Sequence, residues 1–416
     1  MAKKDLWTNE FLDEMRELGD PLADRTVEKI FHADDVSEIL TELFRADDIL
    51  RAKLPEEIHD YFLEAVSLPP WVNPEKVEAC EKLALAYGFT SSTLLACASL
   101  PECYIMRNGV EVLGYTRDLQ DHTKRRVLET AQMVMDVMSP GGIIPKKDGA
   151  VGMGVRAAAK VRLIHAAIRY LLSHQKAHSA GAAPQTAAHL FCATEWDPAA
   201  GLPINQEDMA YTLMTFSYVA VRGLEQIVSL TPEQREAYIH GWNVIGYIMG
   251  VREDLLPDSF EEARFLFETS KNRQKGETET GREMTKALLD FLEDAMPLGC
   301  KHLPHMLICQ YVDAETTRLL GVEPPNVVEK LVMKVIRHEW KKVAKGLEHL
   351  YDRYPFSTLA SVWLHERILE HWGKLRRDGR FNFPGGAREW LLPRIENVAS
   401  TPGPGAPATP PPKPRP

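Results

Sequence analysis

Apolar positions recur along this chain at three- and four-residue intervals, and strict apolar–polar alternation is scarce. The pattern predicts helices near 8–17, 23–32, 34–47, 55–67, 74–88, 90–100, 117–138, 153–173, 205–229, 231–250, 258–274, 280–295, 304–320, 327–349 and 356–374. Asn205-Gln-Glu-Asp208 places an Asx residue and a following carboxylate at a helix start, and Thr231-Pro-Glu-Gln234 reads as a capping box with proline at the first helical position. Ser139-Pro-Gly-Gly-Ile-Ile-Pro-Lys-Lys-Asp-Gly149 reads as a loop between two long helices, and Ser173 to Ala188 as a second connection. From Ser400 onward the chain is dominated by proline and cannot bury apolar surface. The expected fold class is all-α, with one large helical domain.

One of these helices carries an unusual load. In Val161-Arg-Leu-Ile-His-Ala-Ala-Ile-Arg-Tyr170 the polar residues Arg162, His165 and Arg169 are spaced so that all three leave one face of an otherwise apolar helix. Buried charge is costly unless it meets counter-charge. An imidazole between two guanidinium groups therefore asks for an anionic partner that a histidine can also ligate. Haem answers that request, with iron for the imidazole and propionates for the arginines. A core histidine with both arginines paired to Asp or Glu of neighbouring helices answers it equally well.

Composition narrows the field. At 416 residues with a net charge of −10 spread along its length, the chain offers no basic surface for nucleic acid. The longest apolar run, Trp242–Val251, is too short to span a bilayer, and the basic start has no apolar stretch behind it. The expectation is a cytoplasmic protein without stable membrane insertion. Six cysteines lie at irregular spacings, which disfavours a thiolate metal site. Phosphate loops, dinucleotide fingerprints and nucleophile elbows are not found.

Weaker signals lie elsewhere. His122, Arg126, Glu129, Thr130 and Met133 share one stripe of helix 117–138, which also suits a solvated face with an Arg–Glu pair. Thr212, Thr215, Val219 and Arg222 form another stripe, although threonine hydroxyls often bond back to the preceding turn. Glu111 sits between apolar residues after a glycine turn, where burial would suit it to act as a base. His174 and His178 have a metal-compatible spacing with no carboxylate close by, and His302 and His305 flank a proline.

Several segments taken together resemble a known family. They are Gly19-Asp-Pro-Leu-Ala-Asp24, Arg126-Val-Leu-Glu-Thr130, Arg162-x-x-His-Ala-x-x-Arg169 and Gly201-Leu-Pro-Ile-Asn-Gln-Glu-Asp208 leading into Thr212-Leu-Met-Thr215. They look like the catalytic domain of latex clearing proteins (rubber oxygenases) and MpaB-type oxygenases. The likeness runs over about 15–350, leaving an N-terminal extension at 1–14, a helical extension at 351–399 and a Pro-rich tail at 400–416.

The resemblance implies a globin-like core around one b-type haem, and O2-dependent oxidation or cleavage of C=C bonds in isoprenoid chains. His165 would ligate the iron, with Arg162 and Arg169 flanking the haem, meeting propionates or holding the site. Arg126 and Thr130 match the distal helix, Thr215 or Thr212 a threonine near the haem, and Glu111 a proposed base. Rubber oxygenases carry a lysine three residues after the distal arginine, whereas this chain has Glu129. That departure points to a small apolar unsaturated substrate, isoprenoid or lipid-like, rather than polyisoprene. It also keeps two alternatives in view: a peroxide-using haem enzyme with Glu129 as acid–base residue, and a haem-binding protein without turnover.

Overall fold

The structure is a computed structural model. It describes residues 3–33, 39, 54–115, 119–145, 151–174, 195–296 and 299–353, with the side chains of 89, 115, 119–126, 128–129 and 343–353 set aside. All regular structure among the described residues is helical, apart from one isolated antiparallel bridge between Met106 and Lys275.

The first half contains α1 (Asn9–Arg16), α2 (Pro21–Phe31), α3 (Glu56–Ala65), α4 (Pro74–Ala86) and α5 (Gly88–Leu94). A π turn (Leu95–Ser99) leads into α6 (Leu100–Tyr104), followed by α7 (Glu111–Tyr115), α8 (Leu119–Met138) and α9 (Met153–Ser173). The second half contains α10 (Gln206–Phe216), α11 (Tyr218–Leu224), α12 (Pro232–Ile248), α13 (Phe260–Gln274) and α14 (Glu279–Asp294). The last described helices are α15 (Leu303–Tyr311), α16 (Ala314–Leu319) and α17 (Val327–Arg353).

Capping chemistry sets many of the starts. Asp20, Asn73, Asn205, Thr231, Ser259 and Thr278 each accept a backbone N–H of the first turn, and Thr231 with Gln234 completes the expected capping box. Three expected helices are interrupted. The segment near 90–100 widens into the π turn just ahead of Pro101, whose ring removes a donor and crowds the preceding carbonyls. The helix expected over 205–229 breaks at Ser217, whose hydroxyl bonds back to the Leu213 carbonyl at 3.0 Å. The one expected over 304–320 restarts at Asp313, which caps α16 by accepting the Thr316 N–H. The helices expected at 34–47 and 356–374 lie outside the described residues.

The hydrophobic core runs through the whole helical body, with Trp242, Tyr61, Tyr211, Phe62 and Phe267 among its largest fully buried side chains. Within it α9 is central: it packs against α8 on one side, α2 on another and α12 on a third. Its alanine-rich stretch Ala157-Ala-Ala159 is buried and lets these neighbours approach closely. That placement sets the surroundings of the three polar side chains on α9.

Candidate active site

Arg162 and Arg169 of α9 meet carboxylates of α2 and its cap. Arg162 Nε donates to Asp20 Oδ2 at 2.5 Å and Nη2 to Asp20 Oδ1 at 2.7 Å, a two-point pair. Arg169 Nε and Nη2 reach Asp24 Oδ1 at 2.9 and 2.8 Å, and Nη1 donates to the Ile204 carbonyl at 2.6 Å. Both arginines thus pair with protein carboxylates, one of the two arrangements that the sequence left open for Arg162 and Arg169. The reason is charge economy: α2 begins beside α9, and its Asp20 and Asp24 neutralise cations that would otherwise be buried alone. Both arginines are therefore positioning residues that fix α9 against α2.

His165 lies between these pairs. Its Nδ1 is buried and has no hydrogen-bond partner among the described residues. Burial, then the Arg169 charge, pushes its pKa down to about 4, against an opposing pull from Asp20. The imidazole is therefore neutral at physiological pH, the form that ligates a metal. Among the described residues no three His, Cys, Asp or Glu side chains gather into a metal-holding cluster. His165 is thus a single-donor candidate.

The surrounding loops close this polar hub. Gln206 Nε2 donates to the carbonyls of Gly19 at 2.8 Å and Gly250 at 2.9 Å, while its Oε1 accepts the Arg252 N–H at 3.0 Å. Gly250 has φ +86°, and a Cβ there would collide with Asp20 Oδ2 and stand 2.7 Å from Arg162 Nε. Only glycine fits. Ile204 adopts φ 51°, a strained conformation for a β-branched residue that aims its carbonyl at Arg169. Asp20, Asp24, Ile204, Gln206 and Gly250 were given no role from the sequence. The signal existed, since the Gly19–Asp24 and Pro203–Gln206 segments hold the counter-charges and amide that two buried arginines require.

An apolar cavity of about 200 Å³ lies between the π turn, α8, α14, α15 and α17. Its walls include Leu95, Ala96, Val127, Val134, Phe216, Leu307 and Trp340. Thr130, from the expected distal stripe, is one of its polar wall residues, with Thr90, Ser92, Thr93, Gln310 and Arg337. His165 is not on this wall, but α8 and α9 pack directly against each other, so the cavity and the hub occupy neighbouring layers. The hub also borders a more polar cleft of about 440 Å³, lined by Asp20, Arg162, Gln206 and Gly250.

The remaining expected site residues separate. Arg126 and Glu129 fall on α8, but their side chains, like that of His122, lie outside the described residues. Glu111 Oε2 accepts a hydrogen bond from Thr280 Oγ1 at 2.9 Å, which ties it to α14 rather than to the hub. Thr215 is fully buried, and its hydroxyl bonds back to the Thr212 carbonyl at 2.8 Å while facing Cys103 Sγ at 3.2 Å. That engagement leaves the Thr215 hydroxyl little capacity for a ligand. Thr212 is exposed on the same helix. His174 stacks on Tyr170 and approaches its carbonyl at 2.8 Å, whereas His178 lies outside the described residues. His302 occupies the first flanking position of α15 without a side-chain capping bond, and His305 approaches the Glu323 carbonyl at 2.8 Å.

Two buried carboxylates unnoticed in the sequence anchor the walls. Glu102, fully buried on α6, pairs with Arg222 at 2.9 Å and Lys271 at 2.6 Å. Lys271 also holds Asp313 at 2.7 Å. Burial raises Asp313, yet hydrogen bonds from Lys271 and Thr316 outweigh it and keep that carboxyl well below its usual range. Glu207 pairs with Arg16 at 3.2 Å and Arg273 at 2.9 Å.

Comparison with known proteins gives this geometry its context. Residues 105–347 match the sequence model of the ER-bound oxygenase mpaB/B'/Rubber oxygenase catalytic domain. The rubber oxygenase of Streptomyces sp. (strain K30) is 23% identical over 302 residues, covering 71% of this chain and 68% of the relative. The solved latex clearing protein LCP in its closed state shares the fold with a TM-score of 0.65 at 19% identity, over 89% of this chain and 95% of that one. With more than half its length matched, the chain belongs to the mpaB and rubber oxygenase family of oxidoreductases.

Proposed function

We propose that this protein is a haem b-dependent oxygenase that oxidises or cleaves a C=C bond of a small apolar substrate, isoprenoid or lipid-like, with O2. The observation that carries the reading is His165: a neutral, half-buried imidazole whose buried Nδ1 has no partner among the described residues, held between two ion pairs on a central helix. A lone imidazole is the donor set that a porphyrin-bound iron takes from a protein, since the macrocycle supplies the other ligands. The residues present fit the group at that point. Bound there, haem would supply the dioxygen chemistry, which side chains alone cannot provide.

The chain's own residues do the rest. Burial and the Arg169 charge keep His165 unprotonated against the opposing pull of Asp20, while Asp20 and Asp24 hold the two flanking arginines in place. The apolar walls around Thr130 exclude water and accept a hydrocarbon chain by surface burial alone. Rubber oxygenase activity in the Streptomyces relative and the latex clearing fold both support an alkene as substrate class.

The test is the visible absorption spectrum of the purified protein with a pyridine haemochrome assay, followed by oxygen uptake with isoprenoid and unsaturated lipid probes. A strong Soret band at near-stoichiometric haem b, lost in His165→Ala with helical content retained, is the expected result. A colourless protein that takes up no added haemin would overturn the reading.

A further inference from the structure

We propose that the outer face of α17 docks the protein onto an anionic lipid surface. Val327, Val328, Leu331, Val332 and Val335 follow helical spacing along one stripe of α17 and are 82%, 69%, 63%, 40% and 56% exposed. Single exposed apolar residues are ordinary, but five consecutive members of one stripe form a patch that marks an interaction surface.

A second stripe runs beside the first. Lys330, Lys334 and Lys341 are exposed at i, i+4 and i+11, and Arg337, also exposed, stands between this row and the cavity rim, which it helps to line. None has a carboxylate partner among the described residues. The nearby acids are engaged elsewhere: Glu329 accepts the Asn326 N–H at 2.8 Å, and Glu339 holds Lys342 at 2.8 Å. A chain of net charge −10 thus presents a row of unpaired cations alongside bare aliphatic surface. An apolar stripe flanked by Lys and Arg suits the boundary between headgroups and acyl chains of an anionic bilayer.

The inner face of the same helix favours a bilayer over an acidic protein. Met333, Ile336 and Trp340 wall the apolar cavity. One helix therefore carries the lipid-facing stripe outside and the substrate-facing wall inside. A hydrocarbon substrate concentrates in lipid, so seating α17 there brings the cavity to its source. This last step rests on the proposed substrate class; the surface itself rests on exposure and charge alone.

The test is flotation of the full-length protein with phosphatidylcholine vesicles, with and without phosphatidylglycerol as a third of the lipid. Flotation with the anionic vesicles only, weakening as salt rises, is expected. V328E/L331E/V335E, all at exposed positions, should return flotation to background with an unchanged circular dichroism melt. K330Q/K334Q/K341Q should lower partitioning about a hundredfold, from about 1 kcal/mol or fivefold per cation. Failure of the full chain to float, which a face covered by residues 354–416 would produce, overturns the proposal. So does equal flotation of V328E/L331E/V335E. A wild-type dimer in light scattering that this variant abolishes overturns it in favour of a second copy. Flotation reads no turnover, so its failure leaves the oxygenase reading standing, and a haem-free protein that floats separates the two the other way.

Discussion

The hub around His165 and the cavity beside it are built on opposite principles. In the hub, specific polar atoms answer one another: Asp20 and Arg162, Asp24 and Arg169, Gln206 with three backbone groups. In the cavity most of the wall is aliphatic or aromatic, and polar side chains such as Thr90, Thr130 and Gln310 are interspersed without an ion-pair network. A wired site tolerates almost no substitution, because each deletion strands a buried partner. A greasy cavity tolerates many, because one aliphatic wall does much the same as another. Under the proposed function, the difference separates the part that would hold a reactive group in place from the part that would select what enters.

The largest effect should come from cutting one wire. Asp20→Asn keeps the α2 cap and the side-chain shape but removes the charge facing Arg162. Denaturant melts should show a loss of about 3–5 kcal/mol. A loss below about 1 kcal/mol would mean that the hub is not wired in the sense argued here.

Acid should act on the same region. His165 and His240 both sit near about 4 in the fold because burial disfavours their charge, with Arg169 and Lys76 respectively adding to it. An unfolded chain protonates its histidines near about 6.5, so between these values the unfolded state binds more protons. The histidine contribution to the stability of the metal-free protein should therefore fall away as pH drops from about 6.5 to about 4. His165 contributes about 3 kcal/mol of that slope. Melts of wild type and His165→Leu across this window check the point; identical slopes would remove His165 as its source.

Next comes the backbone. Gly250→Ala sets a Cβ against the Asp20–Arg162 pair at a positive φ and should cost about 2 kcal/mol. The smallest stability change belongs to the cavity. Ala96→Leu should move stability by less than about 1 kcal/mol while raising KM for bulky alkenes. An Ala96→Leu cost as large as that of Gly250→Ala would erase the contrast between the regions.

The two regions also differed in how far the sequence disclosed them. Helical periodicity was plain because amphipathic stripes and caps are local, and the Arg162–His165–Arg169 face was visible within about two turns. The partners of those arginines were harder to assign, because Asp20 and Asp24 lie more than a hundred residues away and only tertiary packing joins them. The cavity was illegible, since its wall draws one or two unremarkable side chains from each of several helices. The breaks at Pro101, Ser217 and Asp313 were missed for a third reason: apolar periodicity continues across them while the backbone does not. Thr215 shows the converse, a hydroxyl on a suggestive stripe that the adjoining turn and Cys103 take up.

The amide of Gln206 has a kinetic consequence. It joins Gly19, 187 residues upstream, to Gly250, 44 residues downstream, and none of the three contacts can form until the chain between them has collapsed. Closing loops of that length is entropically slow, so such contacts belong to the final stages of folding rather than to the nucleus. The surroundings of His165 then reach their finished form only when nearly the whole helical body exists. A nascent or partly unfolded chain would offer an incoming prosthetic group no ordered seat, and loading becomes a late checkpoint on a completed molecule.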